Sequence, residues 1–104
     1  MFTGVIMGNV LFTIQYEIKP ESRNDYLVSI KELKSLVAAD GLQSYGVFED
    51  KTNKNRFTEV YLFSDKESFD NYDDASNERL NILLEKIEAL KVPKSTKTST
   101  QFGI

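Results

Sequence analysis

Phe63-Ser64-Asp65-Lys66-Glu67-Ser68-Phe69-Asp70-Asn71-Tyr72 is the stretch on which the fold turns. Ser64 followed by Glu67 has the spacing of a capping box, in which each side chain satisfies a free backbone N–H at a helix start. The residues before it, Arg56 to Phe63, are aromatic and β-branched at alternating positions, the pattern of a strand. A strand therefore runs straight into a capped helix that carries Phe69 and Tyr72 on one side.

Upstream, Leu42 to Glu49 has the same strand composition, and the wholly polar Asp50-Lys51-Thr52-Asn53-Lys54-Asn55 between the two runs predicts a hairpin. Val10, Phe12, Ile14, Tyr16 and Ile18 alternate with Leu11, Thr13, Gln15 and Glu17, giving a first strand with one strongly apolar face. Lys19-Pro20-Glu21-Ser22 then punctuates. Tyr26, Leu27, Ile30, Leu33, Leu36 and Val37 recur at helical spacing up to Asp40-Gly41, so a helix is expected from Glu21 to Ala39 with Gly41 as its left-handed stop.

Downstream, Ser76 is placed to cap a second long helix with the stripe Leu80, Leu83, Leu84, Ile87 and Leu90. Val92-Pro93 ends it, because proline disfavours helical geometry in the residue before it. The Thr-rich, alternating tail from Ser95 to Phe102 reads as a fourth strand.

The order is βαββαβ, an α+β, ferredoxin-like arrangement: a four-stranded antiparallel sheet with helices on one face. Residues 1–104 form one expected domain, with no repeat or linker. Alternation puts Leu11, Thr13, Phe48, Thr58, Val60 and Leu62 on the other face, too apolar to be left in water. A second copy would cover it, so a homodimer is expected, its two sheets closing into a barrel that removes open edges.

Composition removes several functions. The formal charge of −3, from 13 Lys and Arg against 16 Asp and Glu, gives no positive field for a phosphate backbone, and nucleic acid is excluded as a partner. There is no Cys and no His, hence no disulfide, no Ser-His-Asp arrangement and no zinc motif, and a reducing cytoplasm suits the chain. Val5 to Ile14 is interrupted by Gly8, Asn9 and Thr13, short of the ~20 apolar residues of a membrane span. Met1 to Met7 lacks the basic start of a signal peptide, and Met7-Gly8 is an alternative natural start. Asp70, Asp73 and Asp74 lack the glycine and distal glutamate of a calcium loop, and Lys91, Lys94 and Lys97 read as a solvated connection.

Taken together, the Lys-Pro-Glu turn, Asp40-Gly41, Glu59-Val60-Tyr61-Leu62-Phe63 running into Ser64-Asp65-Lys66-Glu67-Ser68-Phe69, and the long C-terminal helix resemble the antibiotic-biosynthesis-monooxygenase family of dimeric α/β barrels over nearly the whole chain. The resemblance implies a pocket between sheet and helices for a small planar, quinone-like compound, and a monooxygenase chemistry that uses no metal or flavin cofactor. Many members carry Trp where this chain has Phe63 and His where it has Tyr72. The missing His removes the usual axial ligand and disfavours haem. In some members an Asn that contacts substrate stands where this chain has Glu59.

The period of two places Phe57, Glu59, Tyr61 and Phe63 on the helix-facing side of the third strand. A carboxylate among aromatics loses hydration and is equipped to act as a general base. The bland alternative is a twist that lets Glu59 reach solvent or a lysine. Glu59 and Tyr72 are the candidate catalytic residues, and Tyr16, Tyr45, Tyr61, Phe63 and Phe69 are candidates for stacking on a flat ligand. All of these would be ordinary core if their rings interdigitate, whereas a cavity of ~300 Å³ or more with Glu59 pointing into it is the expectation that makes them a site. The alternative function is a non-catalytic, ligand-binding or structural dimer whose pocket Phe63 and Tyr72 fill.

Overall fold

The structure, a computed structural model, describes residues 8–73 and 77–104. Strands β1 (Val10–Glu17), β2 (Leu42–Glu49), β3 (Arg56–Phe63) and β4 (Lys97–Phe102) form one antiparallel sheet in the order β2-β3-β1-β4. Three helices accompany it, α1 (Arg23–Leu36), α2 (Lys66–Asp70) and α3 (Glu78–Leu90), and a 3-10 turn at Pro20–Ser22 leads into α1. This is the expected ferredoxin-like α+β architecture.

The β1–β3 register sets the layers, with Tyr16 opposite Phe57, Ile14 opposite Glu59, Phe12 opposite Tyr61 and Val10 opposite Phe63. Phe57, Glu59, Tyr61 and Phe63 are buried while their neighbours along β3 are only partly so, the signature of one covered face. Beneath α1 and α3, Tyr16, Ile18, Tyr26, Ile30, Leu33, Phe57, Leu80, Leu83 and Ile87 make one cluster. Val10, Tyr61 and Phe63 make a second, nearer α2.

Several boundaries differ from the sequence expectation for local reasons. Helix α1 stops at Leu36, three residues before Ala39, because Val37 turns extended and packs against both clusters. Gly41 does adopt a left-handed φ of 81°, but it serves the entry to β2: its carbonyl accepts from the Ser64 amide at 2.7 Å. The Ser64–Glu67 capping box does not form. Asp65 caps α2 instead, its carboxylate accepting from the Ser68 amide at 2.8 Å, and a charged oxygen is a stronger acceptor at a helix start than a hydroxyl. Asn77 caps α3 through the Leu80 amide at 3.0 Å, while the expected cap Ser76 lies outside the described residues, as does Asp74 of the acidic run. β1 ends at Glu17, with Ile18 continuing only as a bridge to Lys91, and β4 begins at Lys97 rather than Ser95. Lys91 is not a solvated connector: its side chain is 11% exposed and its ammonium stands 4.2 Å from the centre of the Tyr16 ring.

The face away from the helices is open. Across it, Ser44, Leu62, Leu11 and Gln101 form one row, Gly46, Val60, Thr13 and Ser99 the next. Phe48 lies over Gly46 and is still 61% exposed. All six residues of β4 are exposed.

Candidate functional site

Glu59 sits at the centre of the helix-facing layer and is 3% exposed. Neither bland alternative holds, since it reaches no solvent and, among the described residues, no Lys or Arg pairs with it. Its charge is met by phenols. Tyr45 donates to Oε1 at 2.7 Å and Tyr61 to the same oxygen at 3.3 Å. Tyr16, whose ionisation the Glu59 charge opposes, shares a hydrogen bond of 2.7 Å with the Tyr26 hydroxyl.

Four elements supply the members. Tyr16 comes from β1, Tyr26 from the buried stripe of α1, Tyr45 from the edge strand β2, and Glu59 and Tyr61 from alternate positions of β3. Burial first, and then the negative charge of Glu59, push the Tyr16 and Tyr45 hydroxyls far above their ordinary range, and burial likewise raises Tyr26. These phenols therefore stay neutral, and Tyr45 is held as a donor to the carboxylate.

Tyr61 joins this polar centre to the aromatic one. Its ring lies 5.7 Å from Tyr72, 6.2 Å from Phe63 and 4.7 Å from Tyr45, centre to centre. Phe63 touches Phe69 and Tyr72 edge to face at 5.5 Å each, favourable geometry for aromatic pairs. All five tyrosines of the chain, Tyr16, Tyr26, Tyr45, Tyr61 and Tyr72, thus belong to one connected interior around Glu59.

The fold brings every candidate residue together, but it does not leave the expected cavity among them. The rings interdigitate, and Glu59 lines none of three cavities at the margins. One, of about 570 Å³, is bordered by Ala39, Asp40, Glu67, Ser68, Asn71 and Tyr72 at the outer side of α2. A second, of about 390 Å³, lies between α1 and β2. A third, of about 210 Å³, lies on the open face between Leu11, Leu62 and Phe102. Tyr26 and Phe12, read from the sequence as core positions, are not among the site candidates, although Phe12 packs on Tyr61 at 5.8 Å and on Phe69 at 5.4 Å. Phe12 shares the alternation that marked Tyr16, which was the available signal. Among the described residues no group of three or more Asp and Glu could hold a metal ion.

The structure is similar to a conserved protein from Methanosarcina mazei Go1 (TM-score 0.77, 17% identity, 94% of this chain and 95% of that one). It is similar to an antibiotic biosynthesis monooxygenase (TM-score 0.73, 18% identity, 91% and 98%). It is also similar to SnoaB, a cofactor-independent oxygenase from Streptomyces nogalater (TM-score 0.69, 8% identity, 90% and 91%). The fold is that of the antibiotic-biosynthesis-monooxygenase-like proteins. No curated protein matches by sequence. Residues 5–92 match the sequence profile of a family described as transmembrane secretion effector. Among the described residues no helix is long and apolar enough to cross a membrane: α1, at 14 residues, reaches only about 21 Å of the roughly 30 Å required.

Proposed function

The chain belongs to the transmembrane secretion effector family, and for the α+β layer it forms we propose a cofactor-independent, monooxygenase-like chemistry on a small planar hydrophobic compound. The observation that carries the proposal is Glu59, a buried carboxylate surrounded by tyrosine hydroxyls with no cation beside it among the described residues. An unpaired buried charge costs several kcal/mol, an expense that a purely structural core has no reason to retain. A carboxylate in that setting is suited to removing a proton from a quinol or anthrone. The resulting anion would reduce O₂, keeping one oxygen atom while the other leaves as water.

The family likeness of the fold supports oxygenase chemistry. Tyr61 is suited to hand a proton between Glu59 and the region of Phe63, Phe69 and Tyr72. Helix α2 is five residues long and buries none of them, so the substrate is proposed to enter beneath Phe69 and Tyr72, from the cavity that Tyr72 borders. Because the rings interdigitate in this structure, binding is proposed to require α2 to move outward; Tyr72 would then hold the rim of the ligand, with Tyr16, Tyr45, Tyr61, Phe63 and Phe69 as its walls.

The chain is proposed to act as one unit and to pair with a second copy through the open face of Leu11, Val60, Leu62 and Phe48, in a cytoplasmic setting that suits a protein without Cys. The test is oxygen uptake by metal-free protein with anthrone and with naphthohydroquinone, followed by mass analysis of the product. Incorporation of one oxygen atom supports the proposal. No uptake across the panel, together with no ligand-dependent rise in melting temperature, removes it and leaves a filled, non-catalytic core.

A further inference from the structure

The cavity between α1 and β2, about 390 Å³ in volume, lies on the helix-facing side, away from the face offered to a second copy. Its floor is apolar: Phe57 is 3% exposed and Ile30 6%, and the Phe57 and Tyr26 rings pack at 4.4 Å between centres, tilted by 40°. Its rim carries two cations. Lys31 and Lys34 follow each other on the exposed side of α1 and border the cavity, and among the described residues neither takes part in an ion pair.

The acid at this rim cannot neutralise them. Glu49 is already clamped by Arg23, whose Nη1 and Nη2 donate to Oε2 and Oε1, and it accepts from the Asn55 amide at 2.9 Å. The Arg23 hydrogen bonds, followed by that amide, pull its carboxyl down to about 2. A cavity of this size with an apolar floor, bordered by two lysines that form no ion pair among the described residues, complements a molecule with a flat apolar body and a single anionic end.

We propose that this cavity binds a small aromatic carboxylate, its rings lying over Phe57 and Val47 and its carboxylate held between the ammonium groups of Lys31 and Lys34. The site is separate from the Glu59 carboxyl, which does not line it, and it stands whether or not the protein consumes oxygen. It would serve as a regulatory or product-holding position on the helix side of the sheet.

The experiment is an amide chemical-shift titration of the full chain with naphthalene-2-carboxylate and, separately, with the neutral naphthalene-2-methanol. Saturable shifts centred on Leu27, Lys31, Val47 and Glu49 are expected for the carboxylate, with at least fivefold weaker binding of the alcohol. Each exposed ion pair adds up to about fivefold in affinity. The Lys31→Gln/Lys34→Gln protein should therefore bind the carboxylate roughly tenfold more weakly and the alcohol unchanged, and added salt should erode the difference. Both lysines are exposed, so this variant should fold. Equal affinity for carboxylate and alcohol, an unaltered affinity in the lysine variant, or shifts centred on Phe63 and Tyr72 instead, would overturn the proposal. Oxygen uptake is a separate readout, so failure here is distinguishable from failure of the Glu59 chemistry.

Discussion

Tyr45 on β2 donates its hydroxyl hydrogen to Oε1 of Glu59 on β3 across 2.7 Å, although the residue opposite Glu59 in the β2 register is Val47. The bond runs diagonally, from a long side chain on the edge strand to a carboxylate in the middle of the sheet. Tyr45→Phe keeps the ring and its packing on Tyr61 but removes the donor closest to a buried charge. Hydrogen bonds to charged groups contribute about 1.5–3 kcal/mol, and urea denaturation should find a loss of that size.

Tyr16, Tyr26 and Tyr45 give a pH signature. Burial raises the folded-state values of Tyr16, Tyr45 and Tyr26 above the 10.0 of a free phenol. A raised folded value means that stability is fully present below the unfolded value and lost as pH rises above it. Absorbance at alkaline pH should show these three phenols ionising only as the protein unfolds, above about pH 10. Smooth ionisation of all five tyrosines in a folded protein would contradict their enclosure.

At the acid end the sign reverses. Arg23 and the Asn55 amide hold Glu49 down to about 2, against 4.5 for the free side chain. Its contribution is present above pH 4.5 and disappears as pH falls towards 2. Arg23→Gln should lower stability above pH 4.5, modestly because the pair is partly exposed, and its difference from the wild type should vanish as pH falls towards 2.

The cap of α2 separates two local arrangements. Asp65→Ala should cost about 1 kcal/mol, the usual loss of a cap, whereas Ser64→Ala should be nearly neutral; the reverse result would restore the Ser64–Glu67 box. Gly41→Ala should be worse than either. The position has a φ of 81°, and an added Cβ would stand 1.9 Å from the Ser68 Oγ, so backbone strain of about 1–3 kcal/mol adds to displacement of α2.

The open face predicts association. Light scattering at micromolar concentration should give the mass of two chains, and Val60→Lys, in the middle row of that face, should shift it to one. A wild-type monomer would remove the dimer.

Much of the fold could be read from local pattern, because alternation and helical spacing are written residue by residue. Both hairpin strands begin and end where composition placed them. The end of α1 could not be read, since Val37 leaves the helix to serve two clusters that exist only once the sheet is assembled. The cap at Asp65 lost to Ser64 in the sequence because both spacings are permitted, and only the geometry of the strand exit decides between them. At the site, one face of β3 predicted the burial of Glu59, but its company did not follow from any single element. Tyr45, Tyr16 and Tyr26 come from β2, β1 and α1, and they meet through register and helix packing. The closure of the aromatic interior depends on ring orientations at Phe12, Phe69 and Tyr72, which periodicity does not carry.

Glu59→Gln, measured for oxygen uptake and urea stability side by side with the wild type, bears on the reason for keeping a buried carboxylate here. The amide retains an acceptor for Tyr45 without the cost of desolvating a charge. The variant should therefore be at least as stable as the wild type, while uptake with anthrone falls by about 10²-fold or more, as expected for loss of a general base. A variant that consumes oxygen as fast as the wild type, or that loses several kcal/mol of stability, would show that the Glu59 charge serves the fold and not a reaction.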